Sequence, residues 1–504
     1  MEQKQNLYNQ TRIAEIQASK VKGSFGSKAM LFMILASTLL VITIYVWFIS
    51  AGRWIIWRPT SSYYSQLALS FEDGQLSLEI KPDPALLSLS NPYDPKERKG
   101  IPFPSDTSLY DHKFYLYFGP LPAIVLAIFK RIISMKIGDQ YLVFVFIAGI
   151  FIAETLLLIA ILRRFFANIP TWVVTINVLS LGLTGPFTRM LTHPFIHEAA
   201  ITGGQFFFIV GWYFVFSGLY EQPVSNWKLL MAGVFWAFSI STRVMQIIPI
   251  GFMLVMTTIY LNKEGMKLKP FSMHWYPLLG LTFPLLLCSV LLAWYNWARF
   301  GSIFEFGMYY QLAGFNMQSF YHDLFSRAYL FQNFYNYYLN PFQIRNVFPY
   351  AYPVSGIEKP LFSFYETPKS YVAEGTITGF LLSTPSLLFV IVPLLYVLKN
   401  YSKTKLDENH SFLKWTITSL MGTFLFASAP IMLFFFAAYR YETDFIPALS
   451  ILSAIGFCQG YTATQQNKVI RRALSILGIS LVTFSVLLTT VLAYTGHLTW
   501  FGKR

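Results

Sequence analysis

The chain has 504 residues, of which 55% are apolar and only 12% charged, about half the charged share of an ordinary soluble protein. Several uninterrupted apolar runs approach the roughly 20 residues that span a bilayer, so a soluble enzyme, a disordered chain, a coiled coil and a secreted disulfide scaffold are excluded. Cys288 and Cys458 both fall inside apolar runs, which removes a disulfide framework or a Cys-based metal site, and the net charge of +14 is scattered between the runs rather than gathered in one basic domain, which removes nucleic acid as a partner.

Taken in chain order, residues 1–29 form a polar, basic tail carrying Lys4, Arg12, Lys20 and Lys22, followed by an apolar run from Met30 to Ile49. The run lacks a small-residue cleavage site and reads as an uncleaved signal anchor with a cytoplasmic N-terminus. Further runs lie near 140–162, 171–187, 199–219, 229–242, 245–262, 275–298, 377–398, 415–436, 445–463 and 473–494. One more, 115–134, decides the parity of all that follow. If it does not cross, the short loops on the N-terminal side hold 18 of the 38 basic residues and that side sums to +12, against +2 for everything else. If it crosses, every basic loop from Arg163 onward moves to the far side, against the positive-inside rule. The segment is therefore expected to be an interfacial or re-entrant helix, and Gly119, Pro120 and Pro122 would break a straight span in any case.

The expectation is an all-α polytopic membrane protein with about 11 transmembrane helices and the C-terminus opposite the N-terminus. It comprises the tail 1–29 and a single transmembrane domain 30–504, with a long first extracytoplasmic loop, 51–139, and a second large extracytoplasmic segment, 299–376. Aromatics of that second segment, among them Phe315, Phe320, Tyr321, Tyr329, Phe331, Phe334, Tyr335, Tyr337 and Tyr338, could stack on sugar rings or form an interfacial belt and local core.

Charges at span ends need a reason. Arg243, in SISTRVMQIIP, suits bidentate binding of a phosphate or snorkelling to lipid headgroups. Arg440, Glu442 and Asp444, in AAYRYETDFIPAL, can pair with one another in a capping turn, or Arg440 can join Arg243 around an anion. A third tip holds Arg189, His193, His197 and Glu198; the order is not HExxH, which leaves a solvated turn or a single metal contact through Glu198 or His193. Glu154, inside a span, is expected to be neutral and hydrogen-bonded between helices rather than a proton relay. The first external loop is the acidic one, with Glu72, Asp73, Glu79, Asp83, Asp94, Glu97, Asp106 and Asp111, and can supply a general base at the membrane surface. No Walker A loop, strand-to-helix GxGxxG, GxSxG or HExxH occurs.

Four tracts, LYDHKFYLYFGPLP from Leu109, HPFIHEAAITGG from His193, YNWARFGSIFEFGMYYQLAG from Tyr295 and YRYETDFIPAL from Tyr439, together with the layout of the whole chain, resemble the GT-C class of membrane glycosyltransferases. That class includes protein O-mannosyltransferases, aminoarabinose transferases and oligosaccharyltransferases, and the local likeness is to bacterial members. The resemblance implies a polyprenyl-phosphate-linked sugar donor entering from the lipid, and inverting transfer to an extracytoplasmic acceptor in a bacterial cytoplasmic membrane. It further implies a carboxylate base among Asp73, Glu72, Asp111 and Asp106, and donor-phosphate binding by Arg243, Arg440, Lys113 and Arg189. A divalent cation, magnesium or manganese, would be held by Glu198 and His193, with no nucleotide cofactor. One departure stands out. The class places an acidic pair just before a Tyr-rich helix start, whereas RPTSSYYSQLA has Ser61 and Ser62, so either one of the four acids takes the role or the fold is kept without the chemistry. A transporter or lipid flippase, or a non-catalytic partner in envelope polysaccharide assembly, is the alternative.

Overall fold

The computed structural model describes residues 27–57, 60–130, 137–263, 275–319, 321–358, 368, 370–400 and 407–501. The basic tail 1–26 and the basic loops 264–274 and 401–406, which carry much of the expected charge asymmetry, lie outside the described residues, as does Phe320.

The protein is an all-α polytopic membrane protein. All eleven apolar runs proposed as spans are helical: α1 (Lys28–Ile49), α4 (Asp139–Phe165), α5 (Thr171–Leu183), α6 (Ile196–Tyr220), α7 (Asn226–Thr242), α8 (Ile247–Lys263), α9 (Tyr276–Phe300), α10 (Ile391–Lys399), α11 (Glu408–Met432), α12 (Ile446–Ala463) and α13 (Lys468–Phe501). A helix satisfies its own backbone polar groups, so in hydrocarbon an apolar run has no other open-ended solution. Among the described residues eight helices are long and apolar enough to cross a membrane; α5, α7 and the Pro385–Lys399 stretch are shorter. The run 377–398 is not one straight helix. Thr384 leaves helical geometry, a 3-10 turn follows over Pro385–Val390, and α10 begins only at Ile391, as Pro385 requires of the chain before it.

The disputed segment 115–134, of which 131–134 lie outside the described residues, gives a helix, α3 (Leu121–Lys130), preceded by the Gly119–Pro120 turn. It packs on α2 (Tyr63–Glu72), the Tyr-rich helix of the first loop. Ahead of it lies a hairpin, β1 (Ser108–Tyr110) with β2 (Lys113–Tyr115). Its two turn residues, Asp111 and His112, have φ of 45° and 57°, the paired positive values that a two-residue hairpin turn demands.

The bundle runs α4 on α6, α6 on α7, α7 on α9, and separately α8 on α11 and α11 on α12. At the α7–α9 crossing the backbones nearly touch: a Cβ at Gly233 would lie 2.3 Å from the Leu281 carbonyl oxygen, the close approach that small residues permit in membranes. Two further strand pairs involve the second long segment, the first a hairpin within it and the second tying it to the tract after α11. These are β3 (Phe342–Ile344) with β4 (Ala351–Pro353), and a short parallel pair, β5 (Val372–Ala373) with β6 (Phe436–Ala437). That parallel pair sets Glu374, whose N–H donates to the Ala437 carbonyl at 2.8 Å, beside the tract containing Arg440.

Candidate functional site: an anion cavity joined to an apolar groove

A cavity of about 430 Å³ lies where the four tracts meet. Tyr117 to Pro120 come from the first, His197 from the second, Tyr295, Asn296, Arg299 and Gln311 from the third, and Arg440 and Tyr441 from the fourth; Arg243 closes it from the end of α7. Three arginines and one carboxylate, Asp106, line the wall.

The arginines are held differently. Arg243 Nη2 donates to Asp444 Oδ2 at 2.7 Å, and Gln246 Nε2 donates to the other oxygen at 3.1 Å. Arg440 Nη1 donates to Glu374 Oε1 at 3.1 Å. Burial is the largest single influence and works against the Arg440 charge, but Glu374, Tyr441, Glu198 and Tyr439 together outweigh it and the guanidinium binds its proton more tightly than usual. The Tyr441 ring lies between the two, 5.5 Å from Arg243 Cζ and 5.4 Å from Arg440 Cζ. Each therefore commits one edge to a carboxylate, while both Nε atoms are buried with no partner among the described residues. Arg299 makes no ion pair among the described residues; it donates to the carbonyls of Leu116 at 2.6 Å and Tyr295 at 3.3 Å and to Asn296 Oδ1 at 2.8 Å. Buried donors left open cost free energy unless a ligand takes them, and an anion would be that ligand.

Asp106 faces this cationic wall. It sits at φ 57°, a backbone conformation that non-glycine residues adopt rarely and that concentrates at functional sites. Its carboxylate is a third exposed, lies 3.6 Å from His197 Nε2, and accepts from Gln311 Nε2 at 3.3 Å. Burial pushes its pKa up, with Arg440, the Gln311 bond and Arg98 opposing, and a carboxylate above its usual range is a stronger base.

A second cavity of about 830 Å³ adjoins the first. It is walled by Phe71, Leu121, Ile124, Ala127, Phe238, Leu287 and other apolar groups of α2, α3, α7 and α9. Pro120, Leu292 and Tyr295 line both spaces, so they form the partition. The Gly119–Pro120 turn is clamped there: Gly119 N–H donates to the Thr242 carbonyl at 3.3 Å, and a Cβ on Gly119 would lie 1.9 Å from the Ser241 carbonyl oxygen.

Of the four candidate bases, Asp106 alone lines the cationic cavity. Asp73 is the exposed C-cap of α2, Glu72 lines the apolar groove, and Asp111 is an exposed turn residue. Of the four candidate phosphate ligands, Arg243 and Arg440 line the cavity. Lys113 is exposed on the hairpin, and Arg189 donates to Thr376 and stacks 3.9 Å from the Tyr439 ring. The Arg440–Asp444 tip does not close on itself, because Arg440 and Asp444 each pair with a distant partner. Nor does Arg243 snorkel, since its side chain is 14% exposed. Glu154 is fully buried but both carboxyl oxygens lack a partner among the described residues, against the expected interhelical hydrogen bond.

His193 Nδ1 lies 2.9 Å from Thr192 Oγ1 and Glu198 accepts from the Phe195 N–H at 3.2 Å. Among the described residues no three His, Cys, Asp or Glu side chains converge, and Glu374 and Asp444 are engaged by Arg440 and Arg243. In the second long segment, among the described residues, Phe315 alone of the named aromatics reaches the cavity wall; Tyr329 and Tyr337 are buried core. Tyr295, Arg299 and His197 were not singled out as ligands by sequence reasoning, although each lies inside a quoted tract.

No protein-family model matches the chain, and no curated protein does. Solved structures do. The oligosaccharyltransferase of Archaeoglobus fulgidus, tethered with an acceptor peptide containing the NVT sequon, is 10% identical with a TM-score of 0.47, over 92% of this chain and 55% of its own. The archaeal oligosaccharyltransferase AglB from the same organism, in complex with an inhibitory peptide and a dolichol-phosphate, is 11% identical with a TM-score of 0.46, over 94% and 56%. ArnT from Cupriavidus metallidurans, bound to undecaprenyl phosphate, is 10% identical with a TM-score of 0.42, over 94% and 76%. The chain spans about half the length of the oligosaccharyltransferases it matches. Both kinds of protein are GT-C glycosyltransferases, the class that the four tracts resemble.

Proposed function

We propose that the protein transfers a sugar from a polyprenyl-phosphate-linked donor to a hydroxyl acceptor at the extracytoplasmic face of a bacterial cytoplasmic membrane. The observation that carries this reading is the juxtaposition of an arginine-lined cavity with an apolar groove through a three-residue partition. A polyprenyl-phosphate sugar is itself such a pairing, an anionic head on a long apolar chain.

In the proposed reaction the Asp106 carboxylate takes the proton of the acceptor hydroxyl. The oxygen forms a bond to the anomeric carbon from the face opposite the phosphate, so the configuration inverts. The bond from that carbon to the phosphate oxygen breaks, and its electron pair leaves with polyprenyl phosphate. Arg243 and Arg440 offset the charge that develops on the departing oxygen. His197, 3.6 Å from Asp106, orients the base. Ser61 and Ser62 do not count against the chemistry on this reading, because the base comes from a later part of the same loop.

The test is turnover of a panel of polyprenyl-phosphate sugars by protein in nanodiscs, with undecaprenyl phosphate binding measured alongside. Asp106→Asn should keep binding and lose turnover by roughly 10²- to 10⁴-fold, and the acid limb of the wild-type pH profile should lie above that of a free aspartate, in the direction in which burial moves the Asp106 pKa. Failure of the wild type to bind undecaprenyl phosphate would overturn the proposal, and so would full turnover by Asp106→Asn.

A further inference from the structure

Three residues line both the cationic cavity and the apolar groove, and of these Pro120, Leu292 and Tyr295 only the last has a polar side-chain atom. Its hydroxyl is buried and has no hydrogen-bond partner among the described residues, although the residue is only 5% exposed. A buried hydroxyl with nothing to bond is uncommon, and here it stands on a wall shared by two cavities rather than in a sealed core.

The ring that carries it is fixed. Arg299 Cζ lies 3.8 Å from the ring centroid, and that guanidinium is anchored by the Leu116 carbonyl and Asn296. Phe71 of α2 meets the ring edge-on at 6.4 Å. A cation on its face, an aromatic at its edge and the end of α9 behind it hold the hydroxyl at the boundary between charged and apolar space. An amphiphile that fills both spaces must cross that boundary where its head joins its chain.

We infer that Tyr295 is the residue that reads this junction: its hydroxyl donates to the head-group phosphate where the chain begins, selecting a prenyl phosphate over the corresponding neutral alcohol. The inference rests on the donor reading above and goes further by fixing which end of the cavity the phosphate occupies and which side chain discriminates it. Arg243 and Arg440 supply charge; Tyr295 supplies register between head and chain.

The experiment compares undecaprenyl phosphate with undecaprenol on wild type and Tyr295→Phe in nanodiscs. Phenylalanine keeps the ring between Arg299 and Phe71 and removes only an unpartnered hydroxyl, so thermal stability should not fall. One hydrogen bond to a charged group corresponds to roughly ten- to a hundred-fold in affinity. Tyr295→Phe should lose that factor for the phosphate and nothing for the alcohol. Inorganic phosphate, which lacks the chain, should not compete at the same concentration. Equal loss for both lipids would make Tyr295 a shaping residue and overturn the inference. It is likewise overturned by undiminished phosphate binding, or by inorganic phosphate competing equally. Wild type that binds neither lipid sinks the donor reading itself, and this inference with it, whereas wild-type binding that Tyr295→Phe leaves intact sinks the inference alone.

Discussion

Arg243 both carries charge into the cavity and compensates Asp444, and substitution separates the two tasks. The pair is close, 2.7 Å, with side chains 14% and 6% exposed. Arg243→Ala leaves a carboxylate buried without its cation, a change that costs about 3–5 kcal/mol, reduced where Asp444 escapes by taking a proton, since burial already pushes its pKa up. Adding Asp444→Asn removes the stranded charge yet can keep the bond from Gln246, 3.1 Å from Oδ1, so the double variant should recover most of the lost stability. It should not recover ligand binding, because the cation is still gone. Thermal unfolding in detergent gives the first quantity and undecaprenyl phosphate binding in nanodiscs the second, read as a double-mutant cycle. Recovery of binding together with stability in the double variant would refute the reasoning, as it would show that Arg243→Ala acts only by loosening the fold. An Arg243→Ala protein as stable as wild type would show that the pair is not buried as described.

Two further outcomes follow from the geometry. Gly119→Ala puts a methyl group 1.9 Å from the Ser241 carbonyl oxygen, with backbone rather than a flexible side chain in its way; the partition turn must move, costing about 1–3 kcal/mol and weakening lipid binding in the same assay, and a variant matching wild type in both would contradict the clamped turn. Glu442 is buried and its pKa is pushed up to about 8 by that burial, with Arg189 opposing. The folded protein therefore holds a proton that the unfolded chain releases near its ordinary value, so this residue's contribution to stability falls as pH rises from about 4.5 to about 8. Glu442→Gln should flatten the unfolding temperature across that window, and an unchanged pH profile would show that the carboxyl is not buried as described.

The helices were legible because hydrocarbon leaves an apolar run few choices: the run 140–162 became Asp139–Phe165 and the run 199–219 became Ile196–Tyr220. Charge balance gives the expectation that 115–134 does not cross; within it the described residues show the hairpin strand, the Gly119–Pro120 turn and α3 as far as Lys130. What the sequence hid were pairings in space. Arg440 and Glu442 are two apart, so a local ion pair was a fair expectation, but a two-residue parallel bridge brings Glu374 to Arg440 from the other long segment. Asp111 and Lys113 belong to the same tract as the cavity-lining Tyr117 and Phe118, yet the hairpin takes one into its turn and the other into its exposed strand end. Tyr295 enters the sequence reading only as the first residue of a tract, and the two cavities that share it are what single it out in the fold.

The Ser61–Ser62 departure is instructive on this point. No acid precedes the Tyr-rich helix in the chain, but one stands there in the fold. Asp139, at the start of α4, accepts from Ser61 Oγ at 2.5 Å, from the Tyr63 N–H at 3.2 Å and from the Tyr64 N–H at 3.4 Å, and its own N–H donates to the Ser61 carbonyl at 3.0 Å. A buried carboxylate thus satisfies the open donors at the start of α2, and serine supplies the short hydroxyl that lets a distant acid approach. The capped helix carries Phe71, the edge against Tyr295, and Glu72, on the groove wall. Asp139 itself does not line the cationic cavity. In this chain Asp139 fixes the helix that walls the groove, and Asp106 is the carboxylate that faces the arginines.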